Sequence, residues 1–379
     1  MDEIRYLNII SGRDRSARAS LIRGGLAALS PIYGATVGLR NLWYDAAPGA
    51  VRRASVPVIS IGNISTGGTG KTPMAAWIAV ALLERGRRVA ILTRGYKGSP
   101  VAFESERPQA AQAQWRVESD EAEVLRRRCP RATIFISPDR VASAAQAVAS
   151  GCNVIVMDDG FQHRRLHRDL NVVLIDACAP FGMGGLLPRG TLRESPDSLS
   201  RADLVIMTRC DLMESPAREL LRERLVKLAP RVPVLSCRHT VTGYTDLRGR
   251  PVPVEDPGAV EAMIFAGIAS FDSFRRSIES LGIRVIAAYQ FPDHHDYSDE
   301  EIAELTQTAH QLEVNALLTT EKDAVKLCGR WTNEAIPVLV PVIDMQFEDA
   351  DADVLRAALD RVTQPPSAGA SAASTPPAR

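Results

Sequence analysis

The chain has 379 residues, 45 Lys and Arg against 45 Asp and Glu, and 45% hydrophobic residues. That is enough chain for two domains with their own cores, since single cores stop growing near about 250–300 residues, and the balanced charge offers no general attraction for nucleic acid. The six cysteines are scattered, with no Cys-x-x-Cys and no metal-like spacing with histidine, so they read as small buried side chains in a reducing, cytoplasmic setting.

The first twenty residues are polar and mixed in charge, unlike a cleavable signal peptide. Residues 21 to 43, "LIRGGLAALSPIYGATVGLRNLW", then place Ile22, Leu26, Leu29, Tyr33 and Val37 at helical spacing, with Arg13, Arg15, Arg18, Arg23 and Arg40 flanking or interrupting them. Spanning a bilayer takes about 20 apolar residues, and Arg23, Ser30 and Pro31 break this run. Two readings stand: a helix, kinked at Pro31, lying in a membrane interface with arginines toward anionic headgroups, or an amphipathic helix packed on its own domain.

The apolar run "VPVISIG" leads into "NISTGGTGKTP" (63–73) and then into "MAAWIAVALLE". Strand, glycine-rich turn, Lys-Thr and helix in this order form a phosphate-binding loop. Thr66, Gly67, Gly68, Thr69 and Gly70 let successive N–H groups face one concavity, Lys71 reaches terminal phosphates from the helix N-terminus, and Thr72 offers a hydroxyl to Mg2+. The strict pattern asks for Gly five places before Gly70, where this chain has Ser65.

Further alternation follows: a helix to about Glu84, "RRVAILTRGY", "ATIFIS" (132–137), a helix to about Ser150, "CNVIVMDDG" (152–160), "LNVVLIDA" (170–177), "ADLVIMTR" (202–209), a helix from Pro216 to about Leu228, and "VPVLSC" (232–237). Such continuous apolar runs suit strands covered on both faces of a parallel sheet. The expected fold is α/β, a P-loop NTPase-like doubly wound parallel sheet, with a second, smaller α/β domain joined by a hinge. Boundaries are expected at 1–50 for the amphipathic N-terminal region, 51–237 for the P-loop domain, 238–259 for the hinge with a small β-ribbon, 260–362 for the smaller domain and 363–379 for a disordered Pro/Ala/Ser-rich tail.

Chemistry concentrates at four places. Asp158 and Asp159 end a buried strand, where a phosphate-loop protein carries its second magnesium anchor. Gln162 and His163 follow at once in "FQHRRLHRD", placed to meet the γ-phosphate or to belong to a solvated basic loop. Ser119-Asp120-Glu121 opens a helix, where acids serve as caps or supply a base for an acceptor hydroxyl. "QFPDHHDYS" (290–298) sets His294 and His295 between Asp293 and Asp296 at a strand end that can face the hinge. "TRCD" (208–211) offers a second class of function, a guanine-nucleotide switch or maturation factor, though Arg209 stands where that element has lysine.

Taken together, "VISIGNISTGGTGKTP", "ILTRGYKG", "SDEAEVL", "VIVMDDGFQHRRLHRDLNVVLIDA", "GGLLPRGTLRE", "FAGIASFDSF", "FPDHHDYS" and "LLTTEKDAVKL" resemble the tetraacyldisaccharide 4'-kinases of Gram-negative bacteria. The resemblance implies ATP- and Mg2+-dependent phosphorylation of the 4'-hydroxyl of a tetraacylated disaccharide 1-phosphate, giving lipid IVA. It also implies peripheral attachment to the cytoplasmic face of the inner membrane through the N-terminal helix, without an obligate protein partner. By motif position, Asp120 matches the proposed base and His294 its partner, Asp158 and Asp159 the metal acids, and Gln162 and His163 residues beside the nucleotide phosphates. Glu121 and Arg193 are implied as substrate or phosphate contacts. Ser119 departs from the glycine expected of the family there.

Overall fold

The computed structural model describes residues 3–95, 101–102, 119–333 and 335–364, so the expected C-terminal tail from 365 onward lies outside the described residues. In chain order the helices are α1 (Glu3–Ile10), α2 (Ala17–Ala46), α3 (Lys71–Glu84), α4 (Asp120–Arg128), α5 (Arg140–Ala149), α6 (Ser215–Leu228), α7 (Phe271–Glu279), α8 (Asp299–Gln311), α9 (Glu321–Leu327) and α10 (Asp349–Thr363). The strands are β1 (Val58–Asn63), β2 (Val89–Thr93), β3 (Val101–Ala102), β4 (Thr133–Ile136), β5 (Val154–Met157), β6 (Leu170–Asp176), β7 (Leu204–Thr208), β8 (Val234–Thr245), β9 (Pro251–Val252), β10 (Glu261–Ala266), β11 (Arg284–Gln290), β12 (Ala316–Leu318) and β13 (Val338–Phe347).

The first half is a parallel sheet in the order β8-β7-β6-β1-β5-β2-β4, closed at the edge by antiparallel β3. Its strands β1, β2, β5, β6 and β7 are buried at every position, the reason their sequences run apolar without alternation. Helix α3 buries Met74, Ala75, Ile78, Ala79 and Leu82 against them. β1 lies at the centre with its carboxyl end opening onto the phosphate loop, the position where doubly wound sheets bind ligands.

The segment expected as a hinge holds the second half of β8 and the short β9 paired with it, and its long partner strand, β13, comes from later in the chain. β8 leaves the first sheet parallel to β7, then continues from Cys237 to Thr245 antiparallel to β13, with a register shift between Val342 and Ile343. β13 also pairs with β12, so it carries the smaller parallel sheet β11-β10-β12-β13. The sequence reading allots residues up to 362 to that smaller domain. In the structure α10 turns back instead: Leu355, Ala358 and Leu359 join Ile59, Met74 and Ile78 in one buried cluster of the first half.

Helix α2 runs unbroken for 30 residues with Pro31 inside it. One side is tied to the 182–194 loop: Ser30 donates to the Leu186 carbonyl (2.7 Å), Tyr33 to the Arg193 carbonyl (3.0 Å) and Asn41 to Glu194 (2.7 Å). Leu21, Ile32, Leu39 and Leu42 stand 80, 64, 68 and 65% exposed. The helix is packed on its own domain along one side, and its other side leaves apolar residues exposed. Among the described residues no helix is long and apolar enough to cross a membrane.

Candidate active site

Gly70 caps α3 with φ +86°, a left-handed conformation that suits glycine. A Cβ there would also lie 2.8 Å from His239 Nε2 and from Met345 Cε, so the two ribbon strands form the floor of the phosphate loop. The loop is braced from several sides. Asn63 donates to Thr69 Oγ1 (3.1 Å), Thr208 to the Thr69 carbonyl (3.0 Å) and Arg209 to the Gly68 carbonyl (2.6 Å). Ser270 of the smaller domain donates to the same carbonyl (3.3 Å), and the Thr66 amide donates to Thr191 (2.7 Å).

These contacts account for "TRCD". Arg209 is committed to Asp176 and the phosphate loop, and Asp211 accepts the His239 amide. The element supports the loop and ribbon, which removes the main sequence argument for a guanine switch.

Lys71 Nζ lies 3.6 Å from Asp159 Oδ1, and Arg193 Nη1 sits 2.9 Å from both Asp159 oxygens. Gln162 donates to the Asn63 carbonyl (2.9 Å) and offers its oxygen to Arg193 (3.5 Å). Burial opposes ionisation of Asp159, yet Lys71 and Arg193 outweigh it and bring its carboxyl down to about 2. Asp158 is the reverse: burial, then the negative charges of Glu121 and Asp159, push it up to about 7. Two adjacent carboxylates follow β5 and the buried Thr72 hydroxyl stands at the start of α3, though among the described residues no group of three or more His, Cys, Asp or Glu gathers for a metal ion. The charge crowding on Asp158 is what a divalent cation would relieve, so the residues fit Mg2+, which is commonly held by one or two carboxylates plus substrate phosphates. His163 is not among the paired groups: its Nε2 is buried without a hydrogen-bond partner, and burial followed by Arg140, Arg165 and Arg168 lowers its pKa to about 4.

Ser119 caps α4 by accepting the Ala122 amide, so serine here leaves Asp120 and Glu121 at the helix start. Across the domain junction His294 Nδ1 lies 2.9 Å from Asp120 Oδ2. The neighbouring His295 turns away and pairs with Glu301 (2.9 Å), so of the two adjacent histidines it is His294 that meets Asp120. Burial penalises the Asp120 carboxylate, but the His294 hydrogen bond and the charges of Lys322 and Lys326 outweigh it and hold its pKa well below the carboxylate range. The same hydrogen bond raises the pKa of His294.

Lys322 (3.1 Å from Glu121) and Lys326 (3.3 Å from Asp120) were not anticipated as site residues, nor was buried Arg140, which donates to the Asp158 carbonyl (3.3 Å). The segment "LLTTEKDAVKL" was a signal for the first two, because a short helix with two lysines one turn apart can face two successive acids.

A family model described as tetraacyldisaccharide-1-P 4'-kinase matches residues 22–364. Relatives with the name tetraacyldisaccharide 4'-kinase include one from Anaeromyxobacter sp. (strain Fw109-5), 41% identical over 337 residues covering 87% of this chain and 90% of the relative. Another, from Geobacter metallireducens, is 38% identical, covering 90 and 98%. The fold is similar to a crystal structure of LpxK from Aquifex aeolicus in complex with ATP, with a TM-score of 0.70 and 28% identity over 90% of this chain and all of that one. The chain belongs to the tetraacyldisaccharide-1-P 4'-kinase family.

Proposed function

We propose that the protein transfers the γ-phosphoryl group of ATP to the 4'-hydroxyl of a tetraacylated disaccharide 1-phosphate, forming lipid IVA. The observation that carries this reading is the meeting of two half-sites. Lys71, Asp159 and Arg193 gather at the phosphate loop, Asp120 and His294 pair across the domain junction, and Ser270 of the smaller domain donates to the Gly68 carbonyl of the loop itself.

Asp120 accepts the proton of the attacking hydroxyl, and His294 fixes the carboxylate's orientation. As the new oxygen–phosphorus bond forms, the bridging bond to the β-phosphate breaks. Lys71 and Arg193 face the charge on the transferred group, and Gln162 holds Arg193. Thr72, Asp158 and Asp159 would hold Mg2+, which supplies charge neutralisation at the phosphate oxygens. Glu121, anchored by Lys322, contacts the acceptor sugar.

The substrate carries four acyl chains, so the enzyme meets it at a lipid surface. The exposed Leu21, Ile32, Leu39 and Leu42 on α2 supply an apolar stripe for peripheral attachment, on the cytoplasmic face of the inner membrane where ATP is available.

The test is transfer of label from γ-labelled ATP into tetraacyldisaccharide 1-phosphate in detergent micelles. Labelled lipid with the native protein, reduced at least about 1,000-fold by Lys71→Ala, is expected. Label released only from GTP, with none in lipid, would return the protein to the switch class.

A further inference from the structure

The segment "FAGIASFDSF" braces the phosphate loop through Ser270 and the helix α9 anchors Glu121 through Lys322, and both also converge on Asp120. Gly267, directly after β10, donates its N–H to both oxygens of Asp323 (3.2 Å each) and accepts the His294 N–H on its carbonyl (3.2 Å). From there two routes lead to one atom. His294 Nδ1 reaches Asp120 Oδ2 at 2.9 Å. Lys326 Nζ lies 3.7 Å from Asp323 Oδ1 and 3.3 Å from the same Asp120 Oδ2.

The hydrogen-bonded part of this arrangement, around Gly267, is confined. Asp323 is 0% exposed and also accepts the Thr320 hydroxyl (2.6 Å). A Cβ on Gly267 would come within 2.9 Å of the Pro292 carbonyl oxygen and 3.1 Å of Asp323 Oδ1. His294 holds a left-handed φ of +59°, a conformation that persists where surroundings over-determine it.

We propose that Lys326 is a positioning residue for the Asp120–His294 pair, its buried ammonium, which makes ion pairs but no hydrogen bond, holding Asp120 of the first domain toward Asp323 of the second by charge alone. This rests on the reading of Asp120 as proton acceptor. The groups facing Asp120 are His294 from the loop after β11 and Lys322 and Lys326 from α9, with Glu121, Asp293 and Asp323 as the surrounding acids. Of the two lysines, Lys322 pairs with Glu121, which leaves the bridge from Asp323 to Asp120 to Lys326. Its loss frees the carboxylate to turn, and a misplacement of about 1 Å costs about 100-fold in rate.

The experiment measures kcat and KM for ATP in the full chain carrying K326M, K326Q or K326R, each alone and with D120N. Expected are a fall in kcat of about 10- to 100-fold for K326M and K326Q with KM for ATP within about twofold, recovery of most of that loss by K326R, and no added loss when K326M is combined with D120N. If K326M is too unstable to assay, the K326Q and K326R pair makes the same comparison. An unchanged kcat, a rise in KM that accounts for the loss, an equal loss in K326R, or full additivity with D120N overturns the proposal. Turnover preserved in D120N alone overturns the base reading instead, so the two failures are distinct.

Discussion

Two side chains of the ribbon set a limit on the phosphate loop that no phosphate-loop pattern contains. Gly70 has both a left-handed φ and a floor made by His239 Nε2 and Met345 Cε. Ala at this position therefore meets backbone strain and overlap together, about 1–3 kcal/mol each by general experience. Gly70→Ala should lower the denaturation midpoint and weaken ATP binding at least about tenfold, since 1.4 kcal/mol is tenfold in an equilibrium constant. Native-like ATP affinity and midpoint in this variant would contradict the packing described. His239 is itself suited to this place as a neutral ring: burial, then the nearby Arg209 and Arg128, lower its pKa to about 3.

Elements divide into those whose role is local in the sequence and those whose role comes from where they land. Helix α3 occupies the expected span because glycine-rich turn, Lys-Thr and an apolar run are consecutive. Asp158 and Asp159 were legible for the same reason, being the end of a buried strand. Asp120 and His294 are 174 positions apart, and each alone reads as an ordinary cap or surface loop; only the family resemblance joins them. Lys326 and Asp323 escaped assignment because their partners lie on other elements, and a helix of seven residues has too little periodicity to declare a face. Helix α2 was legible as amphipathic, whereas its split between a docked side and an exposed side depends on the 182–194 loop. That split is testable. Leu39→Glu with Leu42→Glu alters the exposed side and spares Ser30, Tyr33 and Asn41. Since a buried leucine contributes about 1.5–3 kcal/mol, sedimentation with anionic vesicles should fall more than about tenfold while the melting temperature holds. Undiminished vesicle binding would remove α2 as the lipid contact.

At the scale of the whole molecule, Asp120 and the side chains that hold it, His294 and Lys326, sit on different domains, joined by the β8–β13 ribbon with its shift at Val342 and Ile343. Ser270 on the Gly68 carbonyl and His294 on Asp120 tie the two domains to each other. Opening about the ribbon would part them and admit substrate. Saturation with a non-hydrolysable ATP analogue and acceptor lipid should then shrink the radius of gyration in small-angle scattering, and identical scattering curves with and without ligands would argue against a hinge here. The return of α10 to the core beside β1 and α3 has a further consequence. Thr245 and Val340 are cross-strand neighbours, so the chain leaves and re-enters the nucleotide-binding body at one point. The smaller domain is in topological terms an insert with adjacent ends, a form that one genetic event can add to an existing phosphate-binding protein while preserving the order of its strands.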